Sequence, residues 1–134
     1  MPTFAKEERL CSQVAIDRLY AEGGRLFIFP FSVRWWIGER SGNHEGAVCQ
    51  VMMVVPKRKF RHAVDRNRMR RLMRESYRLN KSALIETLRV QGKTLQVAIV
   101  YAHNDRLEYD RVDGRMQRLL KELMKEVAKD ARVG

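Results

Sequence analysis

The sequence is poor in cysteine and histidine, and each shortage closes off a class of function. Two cysteines, Cys11 and Cys49, cannot build a disulfide framework, and neither belongs to a C-x-x-C pair. Both are expected to be reduced thiols, packed as small hydrophobes. The three histidines, His44, His62 and His103, are far apart with no H-x-x-x-H pairing, so a zinc site is not expected. No apolar run approaches the roughly 20 residues of a membrane helix. The opening "MPTFAKEERLCSQ" lacks the apolar centre of a signal peptide, so a soluble, intracellular chain is the expectation. Internal repeats and low-complexity segments are absent as well. Acid is the remaining shortage: 16 Asp and Glu stand against 27 Lys and Arg, leaving a formal net charge of +11 and a pI near 10.3. That imbalance calls for a polyanion, either nucleic acid or an anionic membrane surface.

What is present fits one domain over residues 1–134, long enough for a modest core and 45% hydrophobic. Residues 6 to 22 read as a first helix, with Leu10, Val14, Ile16 and Tyr20 near helical spacing and Gly23-Gly24 as the stop. "RLFIFPFSVRWWIGE" reads as a strand around Pro30, and a proline there belongs at an edge or a bulge. Beyond it Phe31, Val33 and Trp35 point one way, and Ser32, Arg34 and Trp36 the other. "RSGNHEG" is a turn by composition. "AVCQVMMVV" is a second strand, apolar enough for burial on both faces, and it ends at Pro56. A basic loop, "KRKFRH", leads into an arginine-rich helix that continues or restarts at Ser82. "TLQVAIVYA" is a third buried strand. A last helix spans about residues 108 to 130, where Val112, Met116, Leu119, Leu120, Leu123 and Val127 keep i, i+3, i+4, i+7 spacing.

The stretch "AVDRNRMRRLMRESYR", residues 63 to 78, carries six arginines and two acids. At about 100° per residue, Arg66, Arg70, Arg74, Asn67, Arg78 and Arg71 fall on one arc of roughly 140°. Met69, Leu72, Met73, Ser76 and Tyr77 are expected to occupy most of the opposite arc and pack on the sheet, with Arg68 and Glu75 near the boundary. From Lys57 to Arg78 there are ten basic residues against two acidic ones. A solvated face normally mixes signs. The preference for arginine favours planar, bidentate contacts to phosphate. A membrane surface would need the apolar arc for insertion, and here the fold needs it.

The ordered pattern in "VVPKRKFRHAVDRNRMRRLMRESYR" resembles the signature of the bacterial ribonuclease P protein subunit. Arg66, Asn67, Arg68, Arg70, Arg71, Arg74, Glu75, Tyr77 and Arg78 stand at the matching positions. The opening "FAKEERL", with Phe4, Lys6, Arg9 and Leu10, is similar to the family's N-terminal segment. The resemblance implies an α/β fold, an α+β two-layer sandwich in the order α-β-β-α-β-α. It also implies a left-handed β-α-β crossover, the opposite of the usual hand.

It further implies a protein partner of a catalytic RNA, together removing the 5′ leader of precursor tRNA by magnesium-assisted hydrolysis. The RNA subunit holds the chemistry, Mg2+ serves the holoenzyme, and no cofactor belongs to the chain alone. Lys57, Arg58, Lys59 and Arg61, with Arg66, Asn67, Arg68, Arg70, Arg71, Arg74 and Arg78, are the expected contacts to the catalytic RNA. Ile16, Tyr20, Arg34 and Trp36 are the expected leader-binding residues. Family members commonly carry phenylalanine where Ile16 stands and often an aromatic near Arg34, so Trp36 is the candidate replacement. Ile16 and Tyr20 have a plainer alternative role, packing the first helix on the sheet. Two other functions compete. A nuclease using its own side chains would need His62, or His103, Asn104 and Asp105, as a general base, yet no second acid or base lies at a related spacing. His62 is better placed to touch phosphate or cap the helix. A ribosomal-type structural RNA binder fits the composition, but has no reason to reproduce the R-N-R order.

Overall fold

The computed structural model of the protein describes Phe4, residues 6–39 and residues 46–133. The expected turn at residues 40 to 46, with His44, lies almost wholly outside them. A 3-10 turn, Lys6–Glu8, precedes α1 (Gln13–Glu22), β1 (Gly24–Ile28), β2 (Phe31–Glu39) and β3 (Cys49–Val54). Then come α2 (Ala63–Asn80), α3 (Ser82–Gln91), β4 (Lys93–Tyr101) and α4 (Tyr109–Val133). The strands form one sheet in the order β1-β2-β4-β3. β1 to β2 and β2 to β4 are antiparallel, while β3 lies parallel to β4, so α2 and α3 are the connection of a β-α-β crossover.

The sheet is covered unequally. Phe31 and Val33 of β2, Val51 and Met53 of β3, and Leu95, Val97 and Ile99 of β4 share the main core with residues of α2, α3 and α4. Val112, Met116, Leu119, Leu123 and Val127 are all at most 1% exposed, which is the stripe their spacing predicts. On the other face α1 brings Ala15 and Leu19 against Ala98, with Leu10 beside them. Among the described residues α1 and the N-terminal turn alone lie there, so β3 is buried on one face and half-buried at Gln50, Met52 and Val54. The expectation of burial on both faces therefore fails for β3.

Three element expectations are corrected. The strand around Pro30 is a hairpin, β1 and β2, turning at a cis Phe29-Pro30 bond. Pro30 has no N–H to give a ladder, so a turn suits it. The first helix starts only at Gln13, where Ser12 Oγ accepts the Ala15 N–H at 3.3 Å. Residues before it run along the edge of β3 instead: the Leu10 N–H donates to the Val51 carbonyl at 3.1 Å, and Arg9 bridges Val51 in parallel fashion. The arginine helix stops at Asn80, and α3 restarts after Lys81. Lys81 is buried there in an ion pair with Glu8, which ties the N-terminal turn to the α2–α3 junction. Glycine is structurally required at Gly24 and at Gly92, among other positions. A Cβ on Gly24 would lie 2.2 Å from the Trp35 ring, and Gly92 ends α3 at φ 66° with its N–H turned back to the carbonyls of Arg89 and Leu88.

Candidate nucleic-acid interface

The basic loop and α2 are shaped by the core beneath them. Phe60 is buried, its ring 5.7 Å from that of Tyr101, and it pins the loop so that Lys57, Arg58 and Arg61 project into solvent. Lys59 is half-buried and donates to Asn104 Oδ1 at 3.1 Å, joining this loop to the β4–α4 connection. On α2 the apolar side seats Met69, Met73, Ser76 and Tyr77, all 0% exposed, and Leu72 is half-buried. Tyr77 donates to Cys49 Sγ at 3.3 Å. Burial pushes the Cys49 thiol up to about 11, against the opposing pull of that hydrogen bond. Cys11, by contrast, is exposed, so only one cysteine is packed as expected.

The outward arc is rotated from the one expected. Tyr77 lies three turns beyond Arg66, within about 20° of it on the wheel, and burial of Tyr77 draws that side of the helix inward. Arg66 and Arg70 are accordingly half-buried at the margin, while Asn67, Arg68, Arg71 and Arg74 are exposed. Arg66 folds back, its Nη1 donating to the carbonyls of Phe60 at 2.8 Å and Arg61 at 3.1 Å, and so holds the loop in shape. Arg70 donates to Asn67 Oδ1 at 3.0 Å, and Arg78 pairs with Glu75 at 2.5 Å. The hydrogen bond from Arg78 holds the Glu75 carboxyl below its ordinary range. Arg68, placed near the boundary by its spacing, is exposed and lines a cavity of about 510 Å³ with Asp105, Arg106, Leu107 and Glu108.

Arg9 joins this surface without any periodic signal in the sequence. Its guanidinium lies 5.6 Å from the centre of the Phe4 ring, and Phe4 in turn meets Tyr77 edge-on at 5.7 Å. Burial, followed by the charges of Arg9 and Arg70, lowers the Arg74 pKa. The basic surface therefore continues from α2 toward the segment that runs along β3. Only the path of residues 9 to 11 beside that strand makes the connection, and a linear reading does not contain it.

On the opposite face of the sheet, α1 and β2 interleave rings and guanidinium groups. Arg18 lies 4.9 Å from the centre of the Trp36 ring and donates to Gln96 Oε1 at 2.8 Å. Arg34 lies 5.2 Å from the Tyr20 ring and donates to the Tyr20 carbonyl at 3.0 Å. Ile16 is half-buried against the small core beneath α1, as is Trp36. The four residues singled out here are thus on one face, but only Tyr20 has a substantially open side chain, 40% exposed.

The residues considered for side-chain catalysis do not assemble into an acid–base pair around His62. His62 precedes α2 and makes no side-chain cap. His103 Nε2 and Asp105 Oδ2 are 4.0 Å apart, and Asn104 is taken by Lys59. Among the described residues there is no group of three His, Cys, Asp or Glu side chains that could hold a metal ion, and no helix long and apolar enough to cross a membrane.

Comparison with known proteins agrees with this architecture. The family model described as Ribonuclease P matches residues 4–124. A ribonuclease P protein component from Porphyromonas gingivalis strain W83 is 33% identical over 121 residues, covering 89% of this chain and 86% of that one. Another, from Chlorobaculum tepidum, is 39% identical over 75 residues, covering 55% and 48%. Among solved structures, the RNase P protein of Staphylococcus aureus superposes with a TM-score of 0.65 at 16% identity, covering 87% of this chain and 94% of that one. The Thermotoga maritima RNase P protein gives 0.63 at 22%, covering 86% and 96%. The structural likenesses carry the fold, the sequence matches carry the kinship, and the chain belongs to the ribonuclease P protein component family.

Proposed function

We propose that the chain works as the protein subunit of a ribonuclease P ribonucleoprotein, binding the catalytic RNA through one surface and the 5′ leader of precursor tRNA through another. The observation that carries this is on α2: Arg68, Arg71 and Arg74 make no hydrogen bond or ion pair among the described residues, yet their backbone is fixed by four fully buried side chains. Unneutralised arginines on a rigid helix suit phosphate groups, which accept planar, bidentate hydrogen bonds. Lys57, Arg58 and Arg61 extend the same surface, and Arg66 serves it by holding their loop.

The leader takes the α1 face of the sheet. A single strand exposes base faces and phosphates together, and interleaved rings and guanidinium groups meet both. Tyr20 contributes the open edge of that face with the half-buried Arg34 against its ring, while Ile16 and Trp36 contribute its packed floor. Hydrolysis would belong to the RNA, with Mg2+ serving the holoenzyme rather than this chain alone. The protein supplies affinity and position, and the assembly acts in the cytoplasm. Reconstitution tests this: precursor tRNA is incubated with the protein, with the RNA subunit, and with both at low magnesium. Cleavage is expected to need the RNA and to rise when the protein is added. Cleavage by the protein alone would transfer the chemistry to its side chains.

A further inference from the structure

Phe27 is 63% exposed near the end of β1, the outer strand of the sheet, and none of the roles above uses it. An isolated apolar side chain on a surface needs no explanation, but Phe27 is not isolated. Its cross-strand partner is Ser32, and the neighbouring pair on the same face is Arg25 opposite Arg34. Diagonal neighbours in such a ladder are within reach of long side chains. Arg34 in turn touches Tyr20, so Tyr20, the cross-strand pair Arg34 and Arg25, and Phe27 share one face, with a ring on either side of two cations. Among the described residues Arg25 and Arg34 make no ion pair. Deeper on the face the rings are already engaged, since Trp36 is half-buried with the Arg18 guanidinium near its ring, and position 16 is an isoleucine. The open ring faces lie at the β1 rim.

We infer that Phe27, beside Arg25 and Arg34, is a further subsite for single-stranded RNA: the phenyl ring stacks on one base and the guanidinium groups meet the adjoining phosphates. The inference rests on the proposed function and extends it, placing leader nucleotides farther from the cleavage site over the outer strand. Charge complementarity selects this occupant, because a face with two unneutralised arginines repels a second copy of a chain carrying +11. An open face without a shaped pocket implies tolerance of any base, since every base presents a π-face.

The test uses the reconstituted holoenzyme and measures dissociation constants for precursor tRNA with a long leader and with a leader trimmed to a single nucleotide. Phe27→Ala is expected to weaken long-leader binding by about 5- to 150-fold, the range that the loss of one base stack implies. Binding of the trimmed substrate stays unchanged, and Phe27→Trp keeps the affinity while Phe27→Leu does not. Sedimentation of the free protein gives the same oligomeric state for wild type and Phe27→Ala. Equal long-leader affinity in wild type and Phe27→Ala overturns the subsite and leaves the proposed function standing. A changed oligomeric state with unchanged leader affinity overturns it in favour of a protein interface. A wild-type holoenzyme that does not distinguish the two leaders overturns both.

Discussion

The arginines of α2 divide into two kinds, and substitution separates them. Arg66 is spent on carbonyl oxygens of the preceding loop, whereas Arg71 has no protein partner among the described residues. Arg66→Ala is therefore expected to lower stability by about 1 kcal/mol, the net worth of such hydrogen bonds. Arg71→Ala should stay within about 0.5 kcal/mol, as surface changes do. Urea denaturation midpoints check both, and equal losses would contradict the division. The two cysteines divide in the same way. Cys49 is buried with its thiol pushed up to about 11, and Cys11 is exposed. Alkylation at mildly alkaline pH should label Cys11 alone in the folded protein and both residues in denaturant, as mass spectrometry of the digest will show. Periodicity assigned Met69, Met73 and Val127 to their sides correctly, because burial follows the helical wheel. It misplaced Arg66 because a long side chain near the margin can turn back to the backbone, and no spacing rule encodes that.

Among elements, the two junctions that orient α2 rest on polar contacts, one buried and one part-buried. Glu8 and Lys81 pair in the interior, and removing one partner of such a pair leaves a stranded charge. Glu8→Ala is expected to cost about 3 kcal/mol, visible as a drop in melting temperature. A double change to apolar residues of similar volume should recover most of that loss. If Glu8→Ala melts like wild type, the N-terminal turn is not fastened as described. The second junction is Asp113 on α4, which accepts hydrogen bonds from Ser76 at 2.7 Å and Asn80 at 2.9 Å on α2. Burial pushes its carboxyl upward, but these donors together with Gln117 and Tyr109 outweigh that and hold it below its ordinary value. A lowered carboxyl contributes stability above its unfolded pKa, near 3.9, and loses it as pH falls through the folded value. Melts across the acid range should thus show a smaller decline for Asp113→Asn than for wild type, from a lower starting stability at neutral pH. The final helix and the identity of β3 and β4 were legible in the sequence because they carry long, regular apolar patterns. The β1–β2 hairpin was not, since a proline within one aromatic run looks the same whether it bulges a strand or turns it. Nor was the segment beside β3, because a single bridge leaves no period to read.

At the scale of the whole molecule, two faces of one sheet are given different chemistry. The arginine surface of α2, its loop and Arg9 presents charge with few rings, while the α1 face alternates rings with charge. The family resemblance was legible from the order of residues around Arg66 to Arg78. Which side chains within that order stand open required the fold. Association with the catalytic RNA should weaken steeply with salt, by a slope of about −0.7 to −0.9 per neutralised phosphate in a plot of log affinity against log salt. A triple Arg68→Ala, Arg71→Ala, Arg74→Ala variant should reduce that slope and still melt like wild type. A slope near zero in the wild type would remove the electrostatic basis of the interface.

The most direct measurement is cleavage of precursor tRNA at low magnesium by wild-type protein, by RNA subunit, and by the two combined. The predicted result is no cleavage by the protein, little by the RNA, and strong cleavage by the pair, with the triple arginine variant unable to restore it. Cleavage by the protein alone, or a triple variant as effective as wild type at limiting protein, would contradict a role built on these arginines.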